Sequence, residues 1–136
     1  MILVDSNIWI DIVQRDPIWL DWSLEQLALA ASSDELAINA IICAEIAPNF
    51  DSVVELKQFV KATKAKSVEL SHECSFLAGQ AHLKYRQRKR AAKGEVVGVL
   101  ADFFIGAQAV SGAMAVLTRD AARYRTYFPT VKLICP

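Results

Sequence analysis

The chain opens on Met1-Ile2-Leu3-Val4, four apolar residues with no polar alternation, and then meets Asp5. Such a run suits a strand covered on both faces, as in a parallel sheet, and it puts Asp5 at the strand's exit. Asp16 followed by Pro17 reads as an N-cap with proline at the first helical position. It opens an amphipathic helix through Trp19, Trp22, Leu24, Leu27 and Leu29. A strand is predicted over residues 36–39. Residues 41–46 carry Glu45 among apolar neighbours and stop at Pro48, and Ser52-Val53-Val54-Glu55 is a capping box that starts the next helix. A strand over 67–70 follows, then a long helix capped by Ser71 that runs into a basic segment. A Gly-containing loop from Gly94 to Gly98 leads to a helix from about Ala101. A buried strand over 113–118, a short helix over 120–128 ended by Pro129 and a last strand over 131–134 complete the pattern. Strand and helix alternate throughout. That order implies an α/β fold with a mostly parallel central sheet, right-handed crossovers and helices on both faces. With 136 residues and no internal repeat or linker, residues 1–136 are read as one domain.

Composition narrows the function. A chain that is 54% hydrophobic and 22% charged packs a core and is not disordered. Fifteen Lys plus Arg balance fifteen Asp plus Glu, so attraction to nucleic acid has to come from local patches. Cys43, Cys74 and Cys135 are an odd number in apolar surroundings with no Cys-x-x-Cys spacing. That argues against a disulfide scaffold or a thiolate zinc site and fits a reducing cytoplasm. The N-terminus has no basic leader of the signal-peptide kind. Residues 96–118 are apolar enough to suggest a membrane span, but Asp102, Gln108, Ser111 and Gly112 interrupt them. A carboxylate inside a span costs roughly 2.5 to 3.5 kcal/mol, and Gly112 reads as a stop between a buried helix and a buried strand, so no membrane is expected. His72-Glu73-Cys74 lacks the second His of a zincin helix, and His82 is read as structural. No nucleophile elbow, phosphate-binding loop or dinucleotide fingerprint is present.

The remaining candidate chemistry is acidic. In an open α/β sheet, ligands bind beyond the carboxyl ends of the strands. Asp5 follows the first strand and Asp120 follows the strand ending at Thr118, so both are expected on one sheet edge. Glu45 and Asp102 come from helices that lean over that edge, each in an apolar context unlike that of a solvated surface carboxylate. Taken singly, Asp5 and Asp120 also read as loop residues or helix caps. Taken together, crowded carboxylates repel unless a cation neutralises them. All-oxygen ligation favours Mg²⁺ or Mn²⁺, which lowers the pKa of a bound water, orients it on phosphorus and stabilises the leaving oxygen.

Val4-Asp5-Ser6-Asn7, Glu45 before Pro48, the segment Ala101-Asp102-Phe103-Phe104-Ile105-Gly106-Ala107-Gln108-Ala109, and Leu117-Thr118-Arg119-Asp120 together resemble the PIN-domain ribonucleases. The resemblance spans nearly the whole chain and is nearest to the VapC-type toxins of bacterial toxin–antitoxin modules. It implies a three-layer PIN-like fold and Mg²⁺- or Mn²⁺-dependent endonucleolytic cleavage of RNA. It also implies homodimerisation and inhibition by a cognate antitoxin protein. Asp5, Glu45, Asp102 and Asp120 would be the catalytic metal ligands, with Ser6, Asn7 and Thr118 orienting them. Ser6 departs from the Thr of many members but keeps the hydroxyl.

A second departure is the basic segment before Asp102, where Lys84, Arg86, Arg88, Lys89, Arg90 and Lys93 put six of the fifteen basic residues within ten positions. Lys84, Arg86, Arg88, Lys89 and Arg90 are candidate contacts to RNA phosphates, with Tyr85 as a stacking surface. The same charges also complement the dipole of a solvated helix end. Trp9, Trp19 and Trp22 with Ile10, Ile18 and Leu20 make the N-terminal helices more apolar than one core face requires, which suggests an interface. Two competing functions stand beside the nuclease. One is a catalytically silent PIN-like module that binds RNA or protein. The other is a phosphotransferase with Asp5 as nucleophile, which the Asp5-Ser6-Asn7 sequence disfavours because dehalogenase-like enzymes carry Asp-x-Asp there.

Overall fold

The computed structural model describes residues 1–96 and 100–136; Gly98 of the expected Gly-containing loop, with Val97 and Val99, lies outside the described residues. Strand β1 (Ile2–Val4) has all three residues buried although successive side chains point to opposite faces, so both of its faces are covered. The same holds for β2 (Leu36–Asn39). Three further strands, β3 (Lys66–Val68), β4 (Ala115–Leu117) and β5 (Leu133–Ile134), complete a five-stranded sheet in the order β3-β2-β1-β4-β5. Every strand pair in it is parallel.

Among the described residues, seven helices connect and cover these strands: α1 (Ser6–Val13), α2 (Leu20–Ser33), α3 (Ala40–Ile46), α4 (Val53–Thr63), α5 (His72–Ala91), α6 (Leu100–Ser111) and α7 (Ala122–Tyr127). The result is the three-layer arrangement expected of alternating strands and helices. Trp9 of α1, Ile42 and Ile46 of α3, and Phe103 and Ile105 of α6 are fully buried with Leu3, Val4, Val116 and Leu117 of the central strands. The three cysteines are free. Among the described residues no helix is long and apolar enough to cross a membrane.

Several local expectations shift. Asp16 does not cap α2 directly. Its Oδ1 accepts from the N–H groups of Ile18 and Trp19, both at 2.8 Å, and so closes a turn ahead of the helix, which begins at Leu20. Ser71 and Ser52 cap α5 and α4 as expected, but the return contact of the capping box goes from the Asp51 N–H to Glu55 Oε2 at 2.9 Å. Helix α6 ends at Ser111, yet the left-handed residue that turns the chain is Ala113, with φ 50°, and not Gly112. Trp9 belongs to the core, where its indole N–H donates to the Val4 carbonyl at 3.1 Å. Trp19 and Trp22 are half-buried and pack edge to face, 5.9 Å between ring centroids.

Candidate active site

The strand order locates a crevice before any side chain is considered. From β1 the chain moves outward through β2 to β3, then crosses back to the other side of β1 to lay down β4 and β5. The order therefore switches direction between β1 and β4, where an open α/β sheet leaves room for a ligand beyond the strand ends. Asp5 leaves β1 at that point, and its N–H donates to the Leu117 carbonyl of β4 at 2.9 Å. Thr118 leaves β4 beside it.

Asp5 is only 4% exposed and is held by donors on both oxygens. Its Oδ1 accepts from the Ser6 N–H at 2.7 Å and the Ser6 hydroxyl at 3.3 Å, which makes Asp5 the cap of α1 as well. Its Oδ2 accepts from Thr118 Oγ1 at 2.7 Å, Asn7 Nδ2 at 3.0 Å and the Tyr124 hydroxyl at 3.0 Å. Burial raises the Asp5 pKa above its ordinary value, and the bonds from Thr118, Tyr124 and Ser6 oppose that rise. Thus Ser6, Asn7 and Thr118, which the family resemblance offered as residues orienting the acidic set, all bond Asp5. Tyr124 was missed, because an aromatic residue on a short helix reads as core. Its phenol is raised well above the usual value, first by burial and then by the charge of Asp5, with smaller contributions from Glu45 and Asp120. Tyr124 therefore feels three of the four acidic candidates at once.

Glu45 approaches from α3. It is half-buried and shares an apolar hollow with Ile41, Leu100 and Phe104. Burial raises its pKa, the Ser6 hydroxyl opposes this, and the neighbouring Asp5 charge adds to it. Glu45 Oε2 is buried with no hydrogen-bond partner among the described residues. Asp120 is exposed; its N–H donates to Thr118 Oγ1 at 3.1 Å and its Oδ1 accepts from the Ala122 N–H at 3.3 Å. Asp102, in the first turn of α6, is partly exposed and paired with Arg123 of α7.

A second network fixes the loop that carries Asp120. Buried Asp11 of α1 accepts from Arg119 Nε at 3.0 Å and from the Ser23 hydroxyl at 2.8 Å. The Arg119 backbone N–H donates to Asn7 Oδ1 at 3.3 Å, and its guanidinium lies 5.5 Å from the Trp19 ring centre. Local pattern gives no sign of Asp11 or Arg119, because their pairing spans 108 positions.

The structure thus gathers Asp5 and Glu45 and brings Asp120 to the same crevice edge, whereas Asp102 is held apart from them in its pair with Arg123. Among the described residues, no three His, Cys, Asp or Glu side chains are close enough together to hold an ion. The donors nonetheless fit a hydrated hard cation, which is commonly held by only one or two carboxylates. They are all oxygen, Oδ1 of Asp5 carries the lighter hydrogen-bond load, and Glu45, which feels the Asp5 charge, keeps a buried Oε2 unpartnered among the described residues.

Of the basic candidates, Lys84, Arg88, Lys89 and Arg90 are exposed and Arg86 is half-buried. Tyr85 is not a stacking surface. It is 4% exposed and packs its ring against His82, Phe103 and Tyr127, because this face of α5 is pressed onto α6. Arg88 and Lys89 line a groove of about 350 Å³ with Asp120, Arg123 and Thr126.

No curated protein matches the chain. Among solved structures it is similar to VapBC2 from Rickettsia felis bound to a promoter DNA fragment, with 18% identity, TM-score 0.70, and 100% of this chain and 99% of that one covered. It is similar to VapBC-1 from nontypeable Haemophilus influenzae, with 15% identity, TM-score 0.67 and 99% and 98% covered. A toxin–antitoxin complex from Klebsiella pneumoniae matches with 19% identity, TM-score 0.58 and 91% and 90% covered. At these identities the likeness is one of fold. The PIN domain family matches residues 2–129, which takes in every element described above except β5, and the chain belongs to that family.

Proposed function

We propose that the chain is a metal-dependent endoribonuclease and the toxin of a toxin–antitoxin pair. The observation that carries the catalytic part is the buried, unpartnered Glu45 Oε2 beside the buried carboxylate of Asp5, at the crevice where β1 and β4 diverge. Two adjacent carboxylates with raised pKa values call for a positive charge between them, and PIN domains in general use a divalent metal. Asp5 and Glu45 would hold Mg²⁺ or Mn²⁺, with Asp120 and Asp102 completing the acidic set. When bound, the ion supplies Lewis-acid polarisation of a phosphodiester and lowers the pKa of a water. The chain supplies the rest. Ser6, Asn7, Thr118 and Tyr124 fix the Asp5 carboxylate, so little reorganisation is left for the reaction. The Asp11–Arg119 pair fixes the loop from which Asp120 projects. Exposed Arg88 and Lys89 lie on the approach to Asp120 and suit a polyanionic substrate.

The toxin role rests on the names of the structural neighbours, which are VapBC and toxin–antitoxin complexes. A small antitoxin protein is the expected partner, and a homodimer the expected form. Exposed apolar Ile18, Leu24 and Leu29 on and just before α2 are surface available to either.

The test is cleavage of total RNA and tRNA by antitoxin-free protein in Mg²⁺ or Mn²⁺, beside an Asp102→Asn variant. Asp102 is the better choice than Asp5, since the amide introduced by Asp5→Asn would point a donor at donors and unsettle the fold. We expect cleavage that chelator abolishes and that falls at least about a hundredfold in Asp102→Asn, the scale of loss for a transition-state charge stabiliser. A folded, metal-loaded wild type that cuts nothing would point to the silent binding module.

A further inference from the structure

Among the described residues, the one cation whose ion-pair partner is an acid of the candidate set is Arg123. It stands on α7 next to Tyr124, so adjacent residues of one short helix bond Asp102 and Asp5. The pairing takes up Asp102, while Glu45 keeps its unpartnered oxygen. The Arg123 guanidinium carbon lies 5.9 Å from the ring centres of both Tyr85 and Phe103, an aromatic support that retains a cation without using its hydrogen bonds. The pair is not sealed: the side chains of Arg123 and Asp102 are 29% and 36% exposed. Arg123 also lines the groove that holds Arg88, Lys89 and Asp120, so the one side chain borders both its carboxylate partner and open basic surface.

We propose that Arg123 exchanges partners. It neutralises Asp102 while the site lacks a divalent cation, and it turns to a substrate phosphate in the adjoining groove once Asp102 gives its oxygens to that cation. This rests on the metal-nuclease reading above. The physical reason is competition for one carboxylate: a half-exposed ion pair is weak, a divalent cation outcompetes a monovalent one for it, and a displaced guanidinium then seeks the nearest anion. The planar fork of Arg suits carboxylate and phosphate alike, which a lysine ammonium at this position would match less well. Arg123 is in this account a substrate-contacting residue whose charge makes the groove receptive only after the acidic site is loaded.

The experiment compares wild type, Arg123→Gln and Arg123→Lys, each first shown to melt cooperatively. Mn²⁺ binding is measured by calorimetry without nucleic acid. Removing a competitor worth up to about 1 kcal/mol should tighten Mn²⁺ binding in Arg123→Gln by up to about fivefold, with Arg123→Lys between the two. Binding of a phosphorothioate RNA oligonucleotide, which keeps its charge and resists hydrolysis, is then followed against salt. In chelator the two proteins should bind it alike. In Mn²⁺ the slope of log affinity against log salt should be shallower by about 0.7 in Arg123→Gln, as for one lost phosphate contact to a single strand. In the wild type, which involves no substitution, the Arg123 Nε–H signal in NMR spectra should shift on adding Mg²⁺. An unchanged Mn²⁺ affinity in Arg123→Gln, an equal loss of RNA affinity in chelator and in Mn²⁺, or an Arg123 signal blind to Mg²⁺ would overturn the exchange while leaving the nuclease reading intact. A wild type that binds no Mn²⁺ would remove both.

Discussion

Thr118 is the residue on which the site's hydrogen bonding converges. Its hydroxyl donates to Asp5 Oδ2 at 2.7 Å and accepts from Asn7 Nδ2 at 3.0 Å and the Asp120 N–H at 3.1 Å, which uses its one proton and both lone pairs. Thr118→Val keeps the shape and leaves three buried or half-buried groups short of a partner. We expect a loss of about 1 to 3 kcal/mol in chemical denaturation, with cleavage reduced further than stability explains. Thr118→Ser should recover most of both; a Val variant as stable as wild type would show that these bonds contribute nothing net. Residues of this kind were legible because they sit within two positions of a strand exit. Tyr124 and Arg123 were not, since their partners Asp5 and Asp102 are 119 and 21 positions away and short-range pattern carries no trace of either pairing. Tyr85 was misjudged for the reverse reason. Its charged neighbours suggested exposure, yet at helical spacing it falls on the buried stripe with Cys74, Ala78 and Ala81.

At the scale of elements, the helix starts capped by Ser52 and Ser71 were legible, whereas the start of α2 came later than Asp16-Pro17 suggested and the conformation at the end of α6 was not foreseen. Start signals are chemical and local: Ser71 accepts from the Cys74 N–H at 3.0 Å, and Asn39, which went unnoticed, accepts from the Ile42 N–H at 2.9 Å. The end of α6 depends on which residue takes the left-handed conformation, and that is decided by how the chain must enter β4. Ala113 takes it, one position beyond the glycine. Ala113→Gly relieves a penalty of roughly 1 to 2 kcal/mol in the folded state and gives part of it back in unfolded-state entropy. We expect a rise of a few degrees in the thermal midpoint by calorimetry; a fall would mean that the Ala113 methyl contributes packing that its exposure does not suggest. Strand β3 was placed too late in sequence because Val68 and Leu70 look more strand-like than Lys66. Pairing with Ala37 and Asn39 of β2 sets its register instead, and a lysine suits an outer strand.

Across the whole molecule, the alternation of strands and helices dictated a parallel sheet. Strand order was not dictated, because it depends on which side of β1 each crossover lands. The order matters for titration, since it brings Asp5 and Glu45 together in a buried crevice. In the folded state both carboxyls sit above their ordinary range, first because of burial. The folded protein therefore holds these protons more tightly than the unfolded chain. The stability this contributes is complete at and below the unfolded values near pH ~4 and is lost as pH rises through the folded ones. Asp16 and Asp34 are lowered by hydrogen bonds and act with the opposite sign at more acid pH, so the informative quantity is a difference. In chelator, the thermal midpoint of Glu45→Gln should gain on that of wild type as pH rises above about 4, and Mg²⁺ should close the gap from the wild-type side. Parallel curves would mean that Glu45 has an ordinary environment.

The long reach of the bonds to Asp5 also has a temporal meaning. Thr118 and Tyr124 lie 113 and 119 positions after it, so a ribosome adds more than a hundred residues after Asp5 before either of them is in place. At about 5 to 20 residues per second, many seconds separate the first carboxylate from the hydroxyls that fix it. For a protein proposed to cut RNA, that interval is one in which the Asp5 carboxylate exists on the ribosome without two of the hydroxyls that hold it.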